Sequence, residues 1–293
     1  MDHQILLYYK YVRIDDPAAL VQAQKELCQS LRLRGRILIG HEGLNGTVEG
    51  TLENTEAYIK ETSADPRFVD IHWKKSEGTG EAFPKLSVKL RPEIVSGHLG
   101  EHDVNPVETT ATHLSPDDLQ SWFNEGREFH IVDMRNDYEH AVGHFEGSVL
   151  PPLSNFRNLP EVLPHVEHLR EKTVVTVCTG GVRCEKASGY LLKNGFTDVY
   201  QLDGGIVSYM EKYPNSRFHG KLYVFDGRIV MGVGDDKAPE YVTVGRCHLC
   251  GTPSERYVNC ANLNCHLHFI SCRDCSPKNE TAYCSENCAK VAV

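Results

Sequence analysis

Residues 173–193 read Thr-Val-Val-Thr-Val-Cys178-Thr-Gly-Gly-Val-Arg183-Cys184-Glu-Lys-Ala-Ser-Gly-Tyr-Leu-Leu-Lys193. A β-branched run without polar alternation is the pattern of a strand buried on both faces of a parallel sheet. The run stops at Cys178, two glycines turn the chain, and a helix is expected from Arg183 to Lys193, closed by Asn194-Gly195. Loops at the carboxyl ends of parallel strands are where α/β sheets place their ligands. Gly180 and Gly181 let successive N–H groups point inward as an anion nest. The helix adds the positive end of its dipole, and Arg183 adds a full charge. Each of these favours a thiolate over a thiol, and the thiolate is the nucleophile. Cys178 is therefore the candidate reactive residue, with Gly180, Gly181, Arg183 and Cys184 as the candidate anion and substrate loop. A lone cysteine at a strand end is usually a buried structural residue; the paired glycines, the arginine and the helix start weigh against that here. Cys184 reads either as a resolving thiol or as a packed helix residue.

Working outward, strands and helices alternate. Ser115-Pro116-Asp117-Asp118 is a helix start with Ser115 as cap. Phe129–Val132 is an expected strand ending in Asp133, Leu159–Leu169 an expected helix, and Val199–Leu202 a strand ending in Asp203-Gly204-Gly205. This alternation predicts a parallel sheet in a central domain, residues 112–213. Residues 1–95 read as βαββαβ. A strand at Ile5–Tyr9, a helix at Pro17–Leu33 and a strand at Arg36–Gly40 come first. A return strand from Thr47, a helix at Asn54–Ser63 and extended pieces at Val69–Trp73 and Leu86–Leu90 follow. That order fits a ferredoxin-like α/β sandwich. Residues 96–111 read as a linker. Residues 214–245 form a connector in which Asp226-Gly227 between two apolar runs signals a hairpin.

The last segment, residues 246–293, carries eight of the 11 cysteines. Their spacings are Cys247-x2-Cys250, Cys260-x4-Cys265, Cys272-x2-Cys275 and Cys284-x3-Cys288. Eight thiolates supply two four-cysteine zinc sites, and so short a segment with few large apolar residues needs metal to fold. The pairs combine either in interleaved order, 247/250 with 272/275 and 260/265 with 284/288, or sequentially. Closed sites of this kind are structural.

The formal net charge of −9 argues against a chain that coats nucleic acid indiscriminately. Residues 101–245 hold the excess, with 22 Asp and Glu against 13 Lys and Arg, while residues 1–100 are near balance at 14 against 13. An RNA partner would thus be gripped by the ends of the chain. No stretch has the roughly 20 apolar residues of a membrane helix, and Met-Asp-His-Gln opens without a basic region, so a cytoplasmic location is expected. There is no G-x-G-x-x-G flavin or nicotinamide fingerprint and no two-histidine, one-carboxylate iron motif.

The stretch Asp133-Met-Arg135-Asn-Asp-Tyr-Glu139-His-Ala-Val-Gly143-His144-Phe-Glu-Gly147, the loop Cys178-x-x-Gly181-x-Arg183 and the ending Leu202-Asp-Gly-Gly205 together resemble a rhodanese-like domain. By this resemblance Cys178 is the residue that carries a persulfide in rhodaneses. Asp133, Arg135, Glu139 and His144 are then structural. The order of the whole chain is similar to the bacterial tRNA uridine(34) hydroxylase family: His41-Glu-Gly-Leu-Asn-Gly-Thr47 in the first domain, the cysteine loop, Phe218-His-Gly-Lys221, then the cysteine tail. The resemblance implies oxygen-dependent 5-hydroxylation of the wobble uridine, with O2 as co-substrate, tRNA bound through its anticodon region and activity dependent on Cys178. It makes the N-terminal domain the RNA platform. Arg32, Arg34, Arg36, Lys74, Lys75, Lys85, Lys89 and Arg91 are its candidate phosphate contacts. His41, Glu42 and Asn45 are candidates for the target pocket. Two chemistries use the cysteine: addition to C6 of uracil, which makes C5 nucleophilic, or passage through sulfenic acid. Two rival functions remain, a sulfurtransferase carrying a Cys178 persulfide and a non-catalytic adaptor.

Overall fold

Period-two alternation along one strand decides how the N-terminal domain is used. In the computed structural model, which describes residues 2–277 and 281–291, this domain contains β1 (His3–Tyr11), α1 (Pro17–Ser30), β2 (Arg34–Gly40), β3 (Gly43–Thr51), α2 (Leu52–Ser63), β4 (Lys74–Glu77) and β5 (Leu86–Leu90). The sheet order is β4-β1-β3-β2-β5, antiparallel except where β5 runs parallel to β2. Leu6, Tyr8, Ile37, Ile39, Leu44 and Val48 face the helices and bury with Leu20, Cys28, Tyr58 and Phe68. The alternate residues, among them Leu7, Tyr9, Arg36, Leu38, Asn45 and Thr47, form the opposite face. That face meets the second domain.

Two expectations fail locally. α2 begins at Leu52, two residues before the expected start at Asn54, because the Thr51 hydroxyl accepts the Asn54 N–H at 3.3 Å and caps the helix. Val69–Trp73 is not a strand. Turns returning Phe68 N–H to Asp65 and Ile71 N–H to Phe68 bury Phe68 and Ile71 and leave Val69 exposed, and the strand starts only at Lys74.

The central domain runs β6 (Thr112–Leu114), α3 (Pro116–Glu125), β7 (His130–Asp133), α4 (Asp137–His140), β8 (Gly143–Phe145), α5 (Leu163–Val166), β9 (Thr173–Val177), α6 (Val182–Lys193), β10 (Asp198–Leu202) and α7 (Gly205–Lys212). Its parallel sheet has the order β6-β10-β9-β7. Val132 and Val174 bury on one face with Leu159, Ala187 and Leu191, while Ile131, Val175 and Val177 bury on the other with Trp122, Ile206 and Tyr209. This two-sided burial is why β9 lacks polar alternation. The helix expected at Leu159–Leu169 is broken into a 3-10 turn (Phe156–Val162), the short α5 and a second 3-10 turn (Glu167–Leu169). Pro160 and Pro164 each remove a donor from the ladder. Residues 96–111 are no loose tether, since Leu99, Val104 and Ala111 bury in the core of the central domain.

β11 (Phe218–Gly220) pairs with β8, and β12 (Leu222–Tyr223) pairs with β13 (Val230–Met231). The hairpin forms, but its loop spans residues 224–229 because the tip docks elsewhere. Gly227 N–H binds Ala82 O at 2.8 Å, and the Arg228 guanidinium binds Ser76 Oγ at 3.0 Å. The cysteine-rich module holds β14 (Tyr257–Asn259), β15 (His268–Ile270) and α8 (Glu286–Val291), and leans on α4 through Tyr257, whose hydroxyl bonds Tyr138 O. Among the described residues, no helix is long and apolar enough to cross a membrane.

Candidate active site

β9 ends in the cysteine loop, and the loop turns back on its own sulfur. Gly181 N–H donates to Cys178 Sγ at 3.2 Å. Gly181 adopts φ +101°, a left-handed conformation open to glycine. Cys178 is fully buried. Burial alone would push its thiol up; the Cys184 thiol, the Arg183 guanidinium and the N–H groups of Cys184 and Arg183 outweigh it and bring the pKa down to about 6. Cys184 is pushed well up by burial and by the sulfur beside it. Of the two neighbouring thiols Cys178 is thus the more acidic.

Arg183 is not a free anion receptor. Its guanidinium makes a two-point pair with Glu139, Nη1 to Oε1 at 2.5 Å and Nη2 to Oε2 at 2.8 Å, and also touches Thr179 Oγ1 at 3.2 Å. Glu139 is held in turn by the Asn136 N–H at 3.0 Å. Beneath them the fully buried Arg135 binds Asp133 through Nε (2.9 Å) and Nη2 (2.6 Å) and reaches Gly143 O at 2.7 Å, tying strand end to loop. His144 Nδ1 is 2.9 Å from His140 O.

The outer face of the N-terminal sheet closes over this loop. A Cβ on Gly180 would stand 2.8 Å from Leu7 Cδ2, and one on Gly181 would stand 2.8 Å from Tyr9 Oη. The glycines therefore serve the approach of another domain as well as the anion nest. Tyr9 Oη donates to Glu185 at 2.9 Å, and the same carboxylate also receives His113, Thr110 and Gln201. Between sheet and loop lies a cavity of about 340 Å³, lined by Cys178, Thr179, Gly180 and Arg183 on one side and by Tyr9, Arg36, Leu38 and Asn45 on the other. Phe83, Phe156 and Phe225 supply apolar wall, and Asn136, Tyr138 and Arg157 complete it. Its size is that of small-ligand sites.

Of the three pocket candidates, only Asn45 lines this cavity, with Nδ2 on Ile94 O at 3.0 Å. His41 is bonded to Ile14 O at 2.9 Å and belongs to a separate cleft. Glu42 binds Lys186, a buried ammonium that also holds Glu93, both at 2.9 Å. The pair clamps the two domains. The basic candidates divide similarly. Lys74 is buried over the Tyr9 ring, and burial brings its amine down to about 8. Lys75 pairs with Glu56. Arg36 enters the cavity, and Lys89 stands beside Leu38 in the β2–β5 register. Arg34, Arg36, Lys89 and Arg157 are exposed, and among the described residues none of them makes an ion pair. Arg32, Lys85 and Arg91 are likewise exposed.

The cysteines gather in interleaved order. Cys247, Cys250, Cys272 and Cys275 form one group, and Cys260, Cys265, Cys284 and Cys288 the other, each with all four sulfurs within 4.8 Å of one another. Cys250–Cys272 is 3.6 Å, Cys265–Cys284 3.7 Å and Cys284–Cys288 3.5 Å. Thiolates bound at about 2.3 Å around one tetrahedral ion stand about 3.8 Å apart, so each group could hold a metal ion.

Three family models match the chain: the UPF0176 acylphosphatase like domain over residues 3–94, the rhodanese-like domain over 115–212 and the rhodanase C-terminal model over 219–289. The chain is 46% identical over 292 residues to the tRNA uridine(34) hydroxylase of Bacillus velezensis, covering 98% of this chain and 88% of that protein. The chain belongs to the tRNA uridine(34) hydroxylase family. Similar relatives of that name occur in Staphylococcus carnosus, 44% identical over 99% of this chain and 90% of that protein, and in Cytophaga hutchinsonii, 44% over 98% and 90%. The site of this member uses residues that single-residue reasoning passes over. Leu7 and Tyr9 are far in sequence from Gly180 and Gly181, which they cover, and nothing in an apolar strand marks its partner. Asn136 and Tyr138 lie inside the Asp133–Gly147 motif and carry no signal of their own.

Proposed function

We propose that this chain hydroxylates C5 of the wobble uridine, position 34, of tRNA, with O2 as co-substrate and Cys178 as the reacting residue. The observation that carries the reading is the placement of the Cys178 thiolate in a base-sized cavity under a sheet face that bears unpaired cations. Likeness to hydroxylases over almost the whole chain supports it. Arg36 and Arg157, which line the cavity, and Arg34 and Lys89, on the neighbouring β2 and β5 strands, would take phosphates of the anticodon loop. The apolar walls would stack the flipped base.

Within the cavity the thiolate adds to C6 of uracil, which turns C5 into an enolate-like carbon that oxygen can attack. Loss of the C5 proton and departure of sulfur restore the ring and the thiolate. One oxygen atom enters the base. The other leaves as water, with two electrons and two protons supplied by an external reductant. Arg183 and the loop N–H groups keep the sulfur ionised before addition and receive it again after release.

The two cysteine groups fit zinc in this reading, since all-thiolate tetrahedral sites suit that ion, and four protein ligands leave it no open position for chemistry. Its role would be to hold the module that braces Tyr138. The proposed location is the cytoplasm, where tRNA is modified. A sulfurtransferase reading draws on the same loop, because the Gly181 N–H would serve a persulfide equally well.

The test is nucleoside mass spectrometry of tRNA from cells lacking the protein, complemented with wild type or Cys178→Ala. Wild type alone should restore 5-hydroxyuridine-derived wobble nucleosides. If these persist without the protein while a thiolated base disappears, the function is sulfur transfer.

A further inference from the structure

One ring lines two cavities. Tyr138, on α4, borders the Cys178 cavity and also an outer cleft of about 720 Å³ between the central domain and the cysteine-rich module. Tyr223 from β12 and Leu267 and His268 from the module face the same cleft, joined by Asp137 and Ala141. A second bridge runs beside the first. Phe225 lines the inner cavity, Tyr223 lines the outer cleft, and their ring centroids are 5.4 Å apart. Tyr223 also meets Tyr138 edge to face at 5.2 Å. These rings are held in place by their neighbours. Tyr223 Oη and His268 Nε2 are 3.2 Å apart, His268 Nδ1 is 2.7 Å from Asn259 Oδ1, and the His268 ring stacks on Tyr257 with centroids 4.6 Å apart. Tyr257 in turn bonds the Tyr138 carbonyl. Rings fixed in this way lose little freedom when a ligand lands on them. The cluster is nevertheless open, since Leu267 is 41% and Phe225 58% exposed. Apolar and aromatic surface left open beside a site is surface for a ligand.

We propose that this outer cleft stacks the base of a nucleotide adjacent to the wobble uridine, with Tyr138 as the partition between that base and the flipped one. This rests on the reading that uridine 34 enters the Cys178 cavity. Proteins recognise single-stranded RNA loops by splaying the bases and stacking them on aromatic side chains. A base drawn out of its stack leaves the neighbouring base with a bare face, and a ring placed between the two keeps them from closing again. The charges specify a base and not the backbone. The cleft is lined by a carboxylate, Asp137, and by no lysine or arginine, so a phosphate would be repelled there. Arg36 and Arg157 line the inner cavity instead. The continuity of the two cavities through Tyr138 and the Phe225–Tyr223 pair makes the occupant of one the covalent neighbour of the occupant of the other. The cysteine-rich module, which supplies Leu267 and His268, then contributes to RNA recognition as well as bracing the site.

The test uses the full chain with Cys178→Ala, so that binding is read without turnover, and three anticodon stem-loop RNAs: intact, abasic at position 33 and abasic at position 35. Affinities come from fluorescence anisotropy. In the parent, loss of one of the two flanking bases should weaken binding by about five- to a hundredfold, the value of one stacked base, and the affected position identifies the occupant. Tyr223→Leu keeps apolar bulk and removes the ring, and Leu267→Glu adds a charge at an exposed position of the cleft. In both, the penalty for the missing base should shrink towards one, because the contact is already gone. Tyr223→Phe retains the ring and should retain the penalty. The ratio of intact to abasic RNA, unlike the affinity, does not move with a general loss of structure, and Leu267→Glu gives the same reading should Tyr223→Leu fail to fold. A parent indifferent to the loss of either base overturns the assignment. So does a penalty that survives undiminished in Tyr223→Leu or Leu267→Glu, which leaves the cleft to a partner other than this RNA. Failure of wild type to restore the wobble nucleoside in cells would instead overturn the function proposed above, and the binding ratio does not enter that result.

Discussion

Removing the Arg183 charge separates what keeps Cys178 ionised from what keeps the loop folded. Arg183→Met preserves the length of the side chain and deletes the guanidinium. Glu139 then loses two hydrogen bonds, at 2.5 and 2.8 Å, in a site where both partners are buried. Stranding one member of such a pair costs about 3–5 kcal/mol. Glu139→Met strands the other member at a similar cost. The double substitution strands nothing and should return to within about 1–2 kcal/mol of wild type. The thiolate responds differently. At a pKa of about 6 Cys178 is about nine-tenths ionised at pH 7. In Arg183→Met the attraction disappears and the stranded carboxylate repels, so the inflection rises; a rise of two units would leave about a tenth ionised at pH 7. In Glu139→Met the unpaired guanidinium pulls harder and the inflection falls. The two single variants thus share a sign in stability and oppose each other in ionisation. With the thiolate as the proposed reacting form, the hydroxylation rate of wild type should rise with pH through about 6 and flatten above it. The assay is the ultraviolet absorbance of the thiolate against pH, with Cys178→Ser subtracted, alongside urea unfolding. An inflection that stays near 6 in Arg183→Met, or that moves the same way in both single variants, refutes the reasoning.

Three further outcomes are expected. Gly205 adopts φ +72°, and a Cβ there would stand 2.6 Å from Gly181 N and 2.7 Å from Cys178 O; Gly205→Ala should destabilise by about 2–4 kcal/mol and abolish activity by distorting the loop, measured by thermal unfolding and nucleoside analysis. Metal analysis should find about two zinc ions per chain, with Cys247→Ser and Cys272→Ser losing the same ion and Cys260→Ser the other; a sequential pattern of loss contradicts the observed grouping. Arg36→Gln and Lys89→Gln should each lower the salt slope of tRNA binding by about one, whereas Lys75→Gln, paired with Glu56, should leave the slope unchanged.

The chemistry of the site was legible where one short segment builds it. Strand, glycine loop and helix at 173–193 are contiguous, so the Cys178 sulfur and the loop N–H that faces it could be placed by reading along the chain. The cysteine spacings named the eight thiols that gather into two groups but left their order open, because a closely spaced cysteine pair is indifferent to which distant pair completes the group. What stayed hidden depends on contacts across the chain. Tyr9 reaches Glu185, Arg183 reaches Glu139, and the tip at Gly227 reaches Ala82. His41 and Glu42 sit in a turn that resembles a pocket in sequence. It faces the domain clamp because Lys186, on a helix of another domain, takes the Glu42 carboxylate. Local rules failed at Leu159–Leu169, where two prolines outweigh the apolar spacing, and at Val69–Trp73, where turns bury every third residue.

The sheet packed on Gly180 and Gly181 has a consequence for the lifetime of the enzyme. A thiolate that is ionised at neutral pH is an easy victim of peroxides and electrophiles, and oxidation past the sulfenic acid is irreversible. Here the acidity of the sulfur is set by one domain and its exposure by another, so the residue can be both highly reactive and wholly covered. What reaches it is filtered by shape before chemistry begins. Damage should therefore track the integrity of the seam between the domains, and a substitution on Leu7 or Tyr9, far away in sequence, would shorten the working life of Cys178 without touching its ionisation loop.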